Sequence, residues 1–466
     1  MAPSQVVDIT RLIDGQRIRW FNISLLLVSF IVVLTDGYDI GAAAFAAPAL
    51  VKEWHLDRAQ LGPLFSAGLF AGLFGPPIFG FFADRYGRKA VIVGGAIFFG
   101  IFTLASVLAT SLTTLIALRF IAGVGISGVL PIAVALNNEY APRRIRATMI
   151  VVMFSGVTFG GGLPGVIAAN FMAAHGWQIL FWVGGVLPVA AGLLAAFILP
   201  ESPKFLALRP DRQKDLAALA RRINPDVSVS PDTRFVISGE ANRARFSIKA
   251  IFAGRLALLT PMFWITNAVN LMIFYFVNQW MPTLLSTAGV TVEHAAIATT
   301  LFQFGGTLAG LIIMRPLDKY GFIPVPILFA CAIPVMASIG QPGLSEGTIM
   351  VLVGAAGFCL LGLQFGNISL ESNIYPTYIR SWGVGSCFAA GRVGSVFGPL
   401  VGGMLVARHV PLQDMFYIAS VPLAVGLIAA IVITPLYKAE LRHQLALADS
   451  EGDAAWSDGV QLKAET

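Results

Sequence analysis

The stretch GFFADRYGRK, residues 80–89, joins two long apolar segments through a short charged turn. Gly87 provides the backbone freedom that a tight turn requires. Asp84 lies just before the second apolar segment, so we expect its carboxylate to face the N-terminus of that helix, and the basic residues of the stretch to meet acids at helix ends. A degraded copy, RPLDKYG, stands at residues 315–321. Both copies predict helix pairs joined by tight charged turns.

The composition around this stretch is that of an integral membrane protein. Of 466 residues, 56% are hydrophobic and only 12% are charged, and the mean hydropathy is +0.78. Soluble globular domains carry about 25% charged residues. A membrane-spanning helix needs about 20 apolar residues. We therefore predict an all-α integral membrane protein with a transmembrane helix in each of these segments: 21–45, 60–83, 89–109, 112–137, 148–172, 178–199, 257–281, 294–315, 322–340, 346–370, 382–406 and 412–436.

The twelve predicted helices form two copies of one design. Gly, Pro, Asp and Arg landmarks recur at one constant offset of 234 residues. The matched pairs include Pro48 and Pro282, Asp84 and Asp318, Gly87 and Gly321, Pro142 and Pro376, and Arg146 and Arg380. We predict an N-terminal six-helix bundle (1–199), a connecting cytoplasmic loop (200–256) that acts mainly as a tether, a second six-helix bundle (257–436) and a cytoplasmic tail (437–466). Two parallel repeats are typical of transporters that rock their halves about a central site.

Basic residues are distributed by membrane topology. The net charge is +6, and most of the 31 Lys and Arg residues fall in the N-terminal segment, the loops on one side and the tail. By the positive-inside rule, both termini are cytoplasmic. This asymmetry explains the basic isoelectric point without a nucleic-acid partner. Cys331, Cys359 and Cys387 have neither disulfide nor metal-ligand spacing. We expect no metal and no cofactor, a lipid bilayer as the surroundings, and a functional monomer.

Asp36 and Asp39 interrupt the first apolar segment. A charged side chain at the centre of a membrane helix costs roughly 2.5 to 3.5 kcal/mol on insertion scales, so such residues are functional by default. The alternative is that both aspartates only neutralise basic neighbours. All five histidines fall in loops or the tail. Because removal from water favours the protonated form of a carboxyl group, we predict that Asp36 or Asp39 carries a proton through the membrane.

Two arginines also fall in the membrane layer, Arg119 and Arg392. A guanidinium stays charged and can hold a carboxylate through two hydrogen bonds, which makes Arg392 the best candidate receptor for an organic anion. The alternative for Arg392 is a buried ion pair with an acid or with helix carbonyls. The predicted substrate site also includes polar and aromatic residues near mid-helix, namely Arg119, Tyr38, Phe154, Asn267, Asn270, Tyr275, Gln303, Phe304, Gln364 and Asn367. Individually, most of the aromatic residues could equally serve packing.

Charged residues at the cytoplasmic ends of the helices are predicted to form gates or latches rather than substrate contacts. Glu139 is expected to bridge to Arg85 or Arg146 and hold the inner gate closed. Glu371 is taken as the matching acid of the second half, ahead of Arg380. The full predicted set is Asp84, Arg85, Arg88, Glu139, Arg146, Asp318, Glu371 and Arg380.

Five motifs together resemble those of the aromatic acid:proton symporter family of the major facilitator superfamily. They are DGYD at 36–39, the stretch at 80–89, PESP at 200–203, WMPT at 280–283 and Gly391-Arg392, and the likeness covers nearly all of residues 20–436. The resemblance implies proton-coupled import of benzoate, hydroxybenzoates, protocatechuate, gentisate or vanillate, or of ring-cleavage products such as muconate, across a bacterial inner membrane. It also implies functional charges at Asp36, Asp39, Asp84, Arg119, Glu139, Arg380 and Arg392.

Other classes fit the sequence less well. Sugar porters share the loop motif, but they end the last helix with a Pro-Glu-Thr-type motif where this chain has Thr434-Pro435-Leu436. Drug antiporters carry their glycine-rich motif in the fifth helix, whereas here the similar pattern falls at residues 394–403. Another organic-anion transporter, an efflux antiporter, or a receptor that binds the acid without moving it remain as alternatives. An enzyme would need a nucleophile or a metal cluster in the membrane core, and none is evident in the sequence.

Overall fold

The computed structural model describes residues 6–207, 209–223, 233–236, 248–287, 290–375 and 379–450. Nearly all of the described elements are helices. Their bounds are, in chain order, β1 Val6–Asp8, α1 Ile9–Gly15, α2 Trp20–Glu53, α3 Leu61–Ala71, α4 Gly75–Tyr86, α5 Arg88–Ala105, α6 Leu112–Tyr140, α7 Arg146–His175, α8 Gln178–Ile198, α9 Pro203–Ala207, α10 Gln213–Ile223, β2 Arg234–Val236, α11 Leu256–Thr287, α12 Val292–Tyr320, α13 Pro324–Ile339, α14 Glu346–Ile374, α15 Arg380–Ala407 and α16 Leu412–Ser450.

The helices have the lengths expected of membrane spans. Within the described part of the chain, 11 segments are long and apolar enough to cross a membrane, and α13 is a shorter apolar helix at the predicted ninth position. The predicted second helix, 60–83, lies within one candidate membrane span, Arg58–Tyr86, which the structure divides into α3 and α4. Pro76 and Pro77 lack the amide hydrogens that would bond back to residues 72 and 73, so the helix is interrupted there. At the other end of the chain, α16 runs past the predicted boundary at 436.

The internal repeat is visible in local structure as well as in sequence. Gly87 and Gly321 both adopt positive φ angles, 98° and 60°, at the turns that follow α4 and α12. The N-caps of α6 and α14 are likewise offset by 234 residues, Ser111 in the first half and Ser345 in the second. Each hydroxyl accepts a hydrogen bond from a backbone N–H three residues on, which satisfies an otherwise unpaired donor.

Contacts divide the chain into two compact units that do not follow the repeat. The first unit comprises the described residues within Met1–Ala42, Ala71–Gly161 and Gln178–Arg243. In it α5 packs on both α6 and α8, and α4 packs on α6. Small residues allow close approach in this unit, because a Cβ at Gly37 would overlap the Val157 carbonyl and a Cβ at Gly160 would overlap the Leu34 carbonyl.

The second unit comprises the described residues within Ala43–Phe70, Gly162–Trp177 and Ala244–Thr466. In it α11 packs on α15, α12 on α14, and α13 on α16. The unit also includes α3 from the first repeat, where Ser66 Oγ donates to the Val396 carbonyl at 2.9 Å and the Phe65 ring meets the Trp280 ring edge-on at 5.3 Å. Segments of both repeats therefore belong to one packed body at this end of the bundle.

The connecting segment makes contacts that the sequence did not predict. Strand β2 pairs in parallel with β1, in the register Val6 to Arg234. Helix α10 buries Leu216 and Leu219 in the same cluster as Ile9 and Ile13 of α1. The described part of the segment is therefore anchored on the N-terminal residues, and it adds a small two-stranded sheet to the helical bundle.

The close approach of α2 and α7 generates a prediction about stability. Gly160→Ala should lower the free energy of unfolding by about 1–3 kcal/mol, since the new methyl group overlaps a backbone carbonyl of α2 that cannot move aside easily. Unfolding by SDS in mixed micelles measures the change. Gly94→Ala is the matched control, because Gly94 has nothing within 4 Å of its Cβ position and should gain about 0.5–1 kcal/mol of helix stability. Equal effects of the two substitutions would contradict the close packing.

Candidate functional site

The four residues of the DGYD motif point towards different neighbours because successive residues of a helix are rotated by about 100°. Gly37 lies against the backbone of α7 at Val157. Tyr38 is fully buried, and its hydroxyl donates to the Leu180 carbonyl of α8 at 3.0 Å. Asp39 reaches α6. The motif therefore ties α2 to three helices of its own unit.

Asp39 and Arg119 form a buried ion pair. Arg119 Nη1 lies 2.5 Å from Asp39 Oδ1, and Arg119 Nη2 lies 2.7 Å from Asp39 Oδ2, so the pairing is bidentate. Asp39 is 8% exposed and Arg119 is 4% exposed. The guanidinium also lies over the Phe181 ring, 5.6 Å from its centroid. Arg119 is thus neutralised within the protein, and the alternative raised for the aspartates, neutralisation of a basic neighbour, is what the structure shows for Asp39.

Asp36 is placed differently from Asp39. It is half-buried and takes part in at least one polar interaction. Because successive residues of a helix are rotated by about 100°, Asp36 lies on a side of α2 that falls between the side of Gly37 and the side of Asp39. Of the two aspartates, Asp36 is therefore the more exposed.

Arg392 contrasts with Arg119. It lies half-buried on α15, where the neighbouring Gly391 packs on α11: a Cβ at Gly391 would stand 3.5 Å from the Cβ of Asn267. Among the side chains that the structure describes, no carboxylate lies within 4.0 Å of the Arg392 guanidinium. The buried ion pair considered for Arg392 is therefore absent from that part of the chain, and its donors are available to an anion.

Polar residues predicted for the substrate site cluster in the second unit. Asn270 Nδ2 donates to Gln364 Oε1 at 3.0 Å between α11 and α14, and Gln303 Nε2 donates to Asn278 Oδ1 at 3.1 Å. Asn367 is fully buried, and neither polar atom of its side chain has a hydrogen-bond partner among the described residues. The sequence analysis did not predict Asn278 for this site. The one feature of the sequence that points to it is its spacing from Asn270 along the same helix.

The predicted aromatic residues differ in their surroundings. Tyr38 is fully buried within the first unit, and its hydroxyl is bonded to the Leu180 carbonyl, so its place in a substrate site stays a prediction. Tyr275 is buried and meets the Phe274 ring edge-on at 5.0 Å. Phe304 is 55% exposed on an apolar stripe of α12 that also carries Leu301 and Leu308. Phe154 is half-buried on α7.

A charged network joins the start of α5 to the end of α6. Arg88 forms an ion pair with Glu139, and Arg88 Nη1 also donates to Ser202 Oγ at 2.8 Å. Ser202 Oγ donates in turn to Glu139 Oε2 at 2.5 Å. The expected partners of Glu139, Arg85 and Arg146, are therefore wrong, because Arg88 is the residue that the turn at Gly87 directs towards α6.

The N-terminus of α5 is occupied by Glu201, not by Asp84 as predicted. Glu201 Oε1 accepts hydrogen bonds from the backbone N–H groups of Arg88 at 2.7 Å and Lys89 at 3.2 Å. A carboxylate there is stabilised by the unpaired amides and the helix dipole. Asp84 is exposed. Sequence reasoning noted the PESP motif but did not assign Glu201 this position, which depends on tertiary structure.

The remaining predicted gating residues lie apart from this network. Arg85 contributes its carbonyl oxygen to Arg209 Nη2 at 2.6 Å. Arg146 donates to the Ala141 carbonyl at 3.1 Å, and Arg380, its repeat partner, donates to the Tyr375 carbonyl at 3.2 Å. The side chain of Asp318 is outside those that the structure describes.

Glu371 differs from its prediction as a charged latch at a helix end. It is fully buried and accepts a hydrogen bond from Asn267 Nδ2, and no basic side chain among the described residues lies within 4.0 Å of it. In the same described part of the chain, no three His, Cys, Asp or Glu side chains come together as metal ligands.

The Asp39–Arg119 pair generates a prediction about stability. Asp39→Asn should lower the free energy of unfolding by about 3–5 kcal/mol, because it leaves a guanidinium buried without its counter-ion. In the double variant Asp39→Asn/Arg119→Gln, the loss should be smaller than the sum of the single losses. SDS unfolding in mixed micelles of the four proteins measures the coupling. Strictly additive losses would show that the pair does not stabilise the fold.

Comparisons with known proteins agree with this architecture. Residues 29–370 match the family model described as Major Facilitator Superfamily. The chain is 35% identical to the 4-hydroxybenzoate transporter PcaK of Pseudomonas putida over 91% of this chain and 95% of the relative, and 33% identical to a gallate transporter of the same organism over 89% and 92%. The crystal structure of a D-xylose-proton symporter superposes with a TM-score of 0.66 at 17% identity, covering 88% of this chain and 97% of that one. The chain therefore belongs to the major facilitator superfamily and, within it, to the family of aromatic acid transporters that its motifs indicate.

Proposed function

We propose that this protein is a proton-coupled symporter that imports an aromatic carboxylate of the benzoate or hydroxybenzoate type. The proposal places the protein in a bacterial inner membrane with both termini in the cytoplasm, as the distribution of basic loops predicts. Transport proceeds by alternating access of the two repeats to a central site. The names of the similar transporters, for 4-hydroxybenzoate and gallate, support the substrate class.

The observation that carries the proposal is the contrast between the two membrane arginines. Arg119 is held by Asp39 at 2.5 Å and 2.7 Å, whereas no described carboxylate pairs with Arg392. A guanidinium in a membrane helix without a protein counter-ion is costly, and an anionic ligand offsets that cost. Arg392 is therefore the proposed receptor for the substrate carboxylate, to which it presents two parallel N–H donors.

The coupling proton is assigned to α2. Asp39 is engaged with Arg119, so Asp36, which is half-buried, is the better candidate for binding and releasing a proton during transport. A proton carried by Asp36 offsets the negative charge of the imported carboxylate, so the inside-negative membrane potential opposes import less. The amides of Asn270 and Gln364 can recognise ring hydroxyl groups, which both donate and accept hydrogen bonds.

Transport in proteoliposomes tests the function directly. Purified protein is reconstituted, a proton gradient acid outside is imposed, and uptake of radiolabelled 4-hydroxybenzoate is measured with and without a protonophore. We expect accumulation that the protonophore abolishes. Saturable binding without uptake would identify a receptor, and uptake that the gradient does not drive would exclude proton symport.

Arg392→Ala should weaken binding of 4-hydroxybenzoate about 10- to 100-fold, since hydrogen bonds to charged groups contribute roughly 1.5–3 kcal/mol. Binding of 4-hydroxybenzamide, which lacks the negative charge, should change much less. Isothermal titration calorimetry of both ligands measures the difference. Arg408→Ala, at the exposed end of α15, is the control and should bind both ligands as the wild type does. Equal losses for acid and amide would assign Arg392 to packing or gating.

Asp36→Asn should abolish accumulation driven by the proton gradient, because the amide cannot bind or release a proton at neutral pH. Exchange of internal for external 4-hydroxybenzoate should continue, since exchange requires no net proton movement. Both activities are measured on the same proteoliposomes. Asp414→Asn, in an exposed position at the start of α16, provides the control. Wild-type accumulation by the Asp36→Asn protein would remove this carboxyl group from the proton pathway.

A further inference from the structure

Polar side chains follow the seam between α11 and α14 inside the second unit. On α14, Gln364, Asn367 and Glu371 are spaced by three and four residues, which places them on one face of the helix. On α11, Asn270 meets Gln364 at 3.0 Å, and Asn267 meets Glu371. The seam therefore carries a row of polar side chains through an otherwise apolar bundle.

Glu371 is the single acid of this polar row, and its surroundings are those of a neutral carboxyl group. It is 0% exposed, Asn267 donates to its Oε1, and Oε2 has no hydrogen-bond partner among the described residues. An ionised carboxylate removed from water without a cation is expensive, and such a group is neutralised by a proton instead. One turn away, Asn367 offers a donor and an acceptor that no described protein group uses.

Among the described side chains, the elements packed around Glu371 supply no cation to it. Helices α11 and α13 contain no charged residue. On α12, Arg315 and Lys319 are exposed, and His294 is paired with Glu346. The Cys387 thiol of α15 and the Tyr375 hydroxyl are near enough to interact with Glu371, and burial raises the pKa of the Tyr375 hydroxyl, so it is neutral. The other charged groups on α15, at its C-cap and on α16 are Arg380, Arg392, Arg408, Asp414, Lys438, Glu440, Arg442, His443 and Asp449, and of those with described side chains none forms an ion pair with Glu371.

We propose that Glu371 is a second proton-binding site of the transporter, located in the second repeat and separate from the aspartates of α2. This inference rests on the proposed proton symport. Glu371 binds a proton in the substrate-loaded protein. When the substrate leaves, the O–H bond of Glu371 breaks and the proton passes to water at the nearby end of α14, about 5 Å away at 1.5 Å per residue.

The link between this proton and the substrate runs through Asn267. Asn267 bonds to Glu371, and Gly391 of α15 packs against Asn267. Arg392 is the next residue after Gly391, so it lies beside this second contact. A substrate carboxylate on Arg392 neutralises that guanidinium, and Glu371 then keeps its proton. Once the substrate leaves, the positive charge of Arg392 favours the ionised form of Glu371, because nearby opposite charges stabilise each other. Proton and substrate are thereby released together.

Proton counting on the purified protein tests the inference. Calorimetric titration with 4-hydroxybenzoate in two buffers of different ionisation enthalpy gives the number of protons taken up with each ligand. Glu371→Gln, which keeps the acceptor for Asn267, should lower that number by about one. Exchange of 4-hydroxybenzoate in proteoliposomes should persist. Glu346→Gln, at the exposed start of the same helix, is the matched control and should equal the wild type.

The outcomes separate this inference from the proposed function. Absence of proton-driven uptake in the wild type would reject the symport itself. Wild-type symport together with an unchanged proton count in Glu371→Gln would overturn only the role of Glu371, leaving it as a structural hydrogen-bonding residue.

A second measurement needs no substitution, in case Glu371→Gln does not fold. Infrared difference spectra of the wild type, recorded on adding 4-hydroxybenzoate, are compared after labelling glutamate or aspartate with carbon-13. Glu371 is the most buried glutamate in the described part of the chain. We expect a carbonyl band of a protonated carboxyl group that shifts with the glutamate label. A band that shifts only with the aspartate label, or no band, would overturn the inference.

Discussion

The cost of holding a charge inside the hydrocarbon layer is the constraint that organises this protein. Asp39 and Arg119 meet it by neutralising each other in a bidentate pair that is almost closed to solvent. That pair also joins α2 to α6, so the charges that the membrane would otherwise exclude become part of the packing of the first unit. The desolvation of both groups makes such a pair a poor source of net stability, but loss of either partner would leave one buried charge uncompensated. Its geometry is therefore strongly constrained.

The repeat preserves the fold but not the charges. At the offset of 234 residues, Arg146 and Arg380 make equivalent bonds to backbone carbonyls, and helices α6 and α14 begin with equivalent serine caps. The ionisable groups of the membrane layer have no such counterparts. Asp36 corresponds to Asn270, and Glu371 corresponds to Asn137, whose amide bonds to its own helix. Each repeat thus keeps the residues that build the bundle and carries its own set of titratable groups, as expected if the two halves perform different steps.

Much of the fold could be predicted from the sequence because the signals are local. Hydropathy, helix length and the positive φ of Gly87 depend on short stretches of chain, and the structure agrees with them. The partner of each charged side chain depends instead on which helices become neighbours. Hence Arg88 rather than Arg85 reaches Glu139, and the Tyr38 hydroxyl bonds to a carbonyl of α8. Helical periodicity shows that Tyr38 and Asp39 face different directions, but it cannot identify what lies in either direction.

The charged motif after α4 is explained only when the connecting segment is included. Gly87 needs a positive φ for the turn, but it also needs to lack a side chain, because the Glu201 carboxylate lies where its Cβ would stand. Glu201 then accepts the first N–H groups of α5, while the adjacent Ser202 links Arg88 to Glu139. The two acids therefore divide the available donors, since Glu201 takes backbone amides and Glu139 takes the guanidinium. The connecting segment, expected to be a passive tether, thus completes the charge balance where α5 and α6 meet. Substitution of Glu201 or Ser202 would therefore affect both helices.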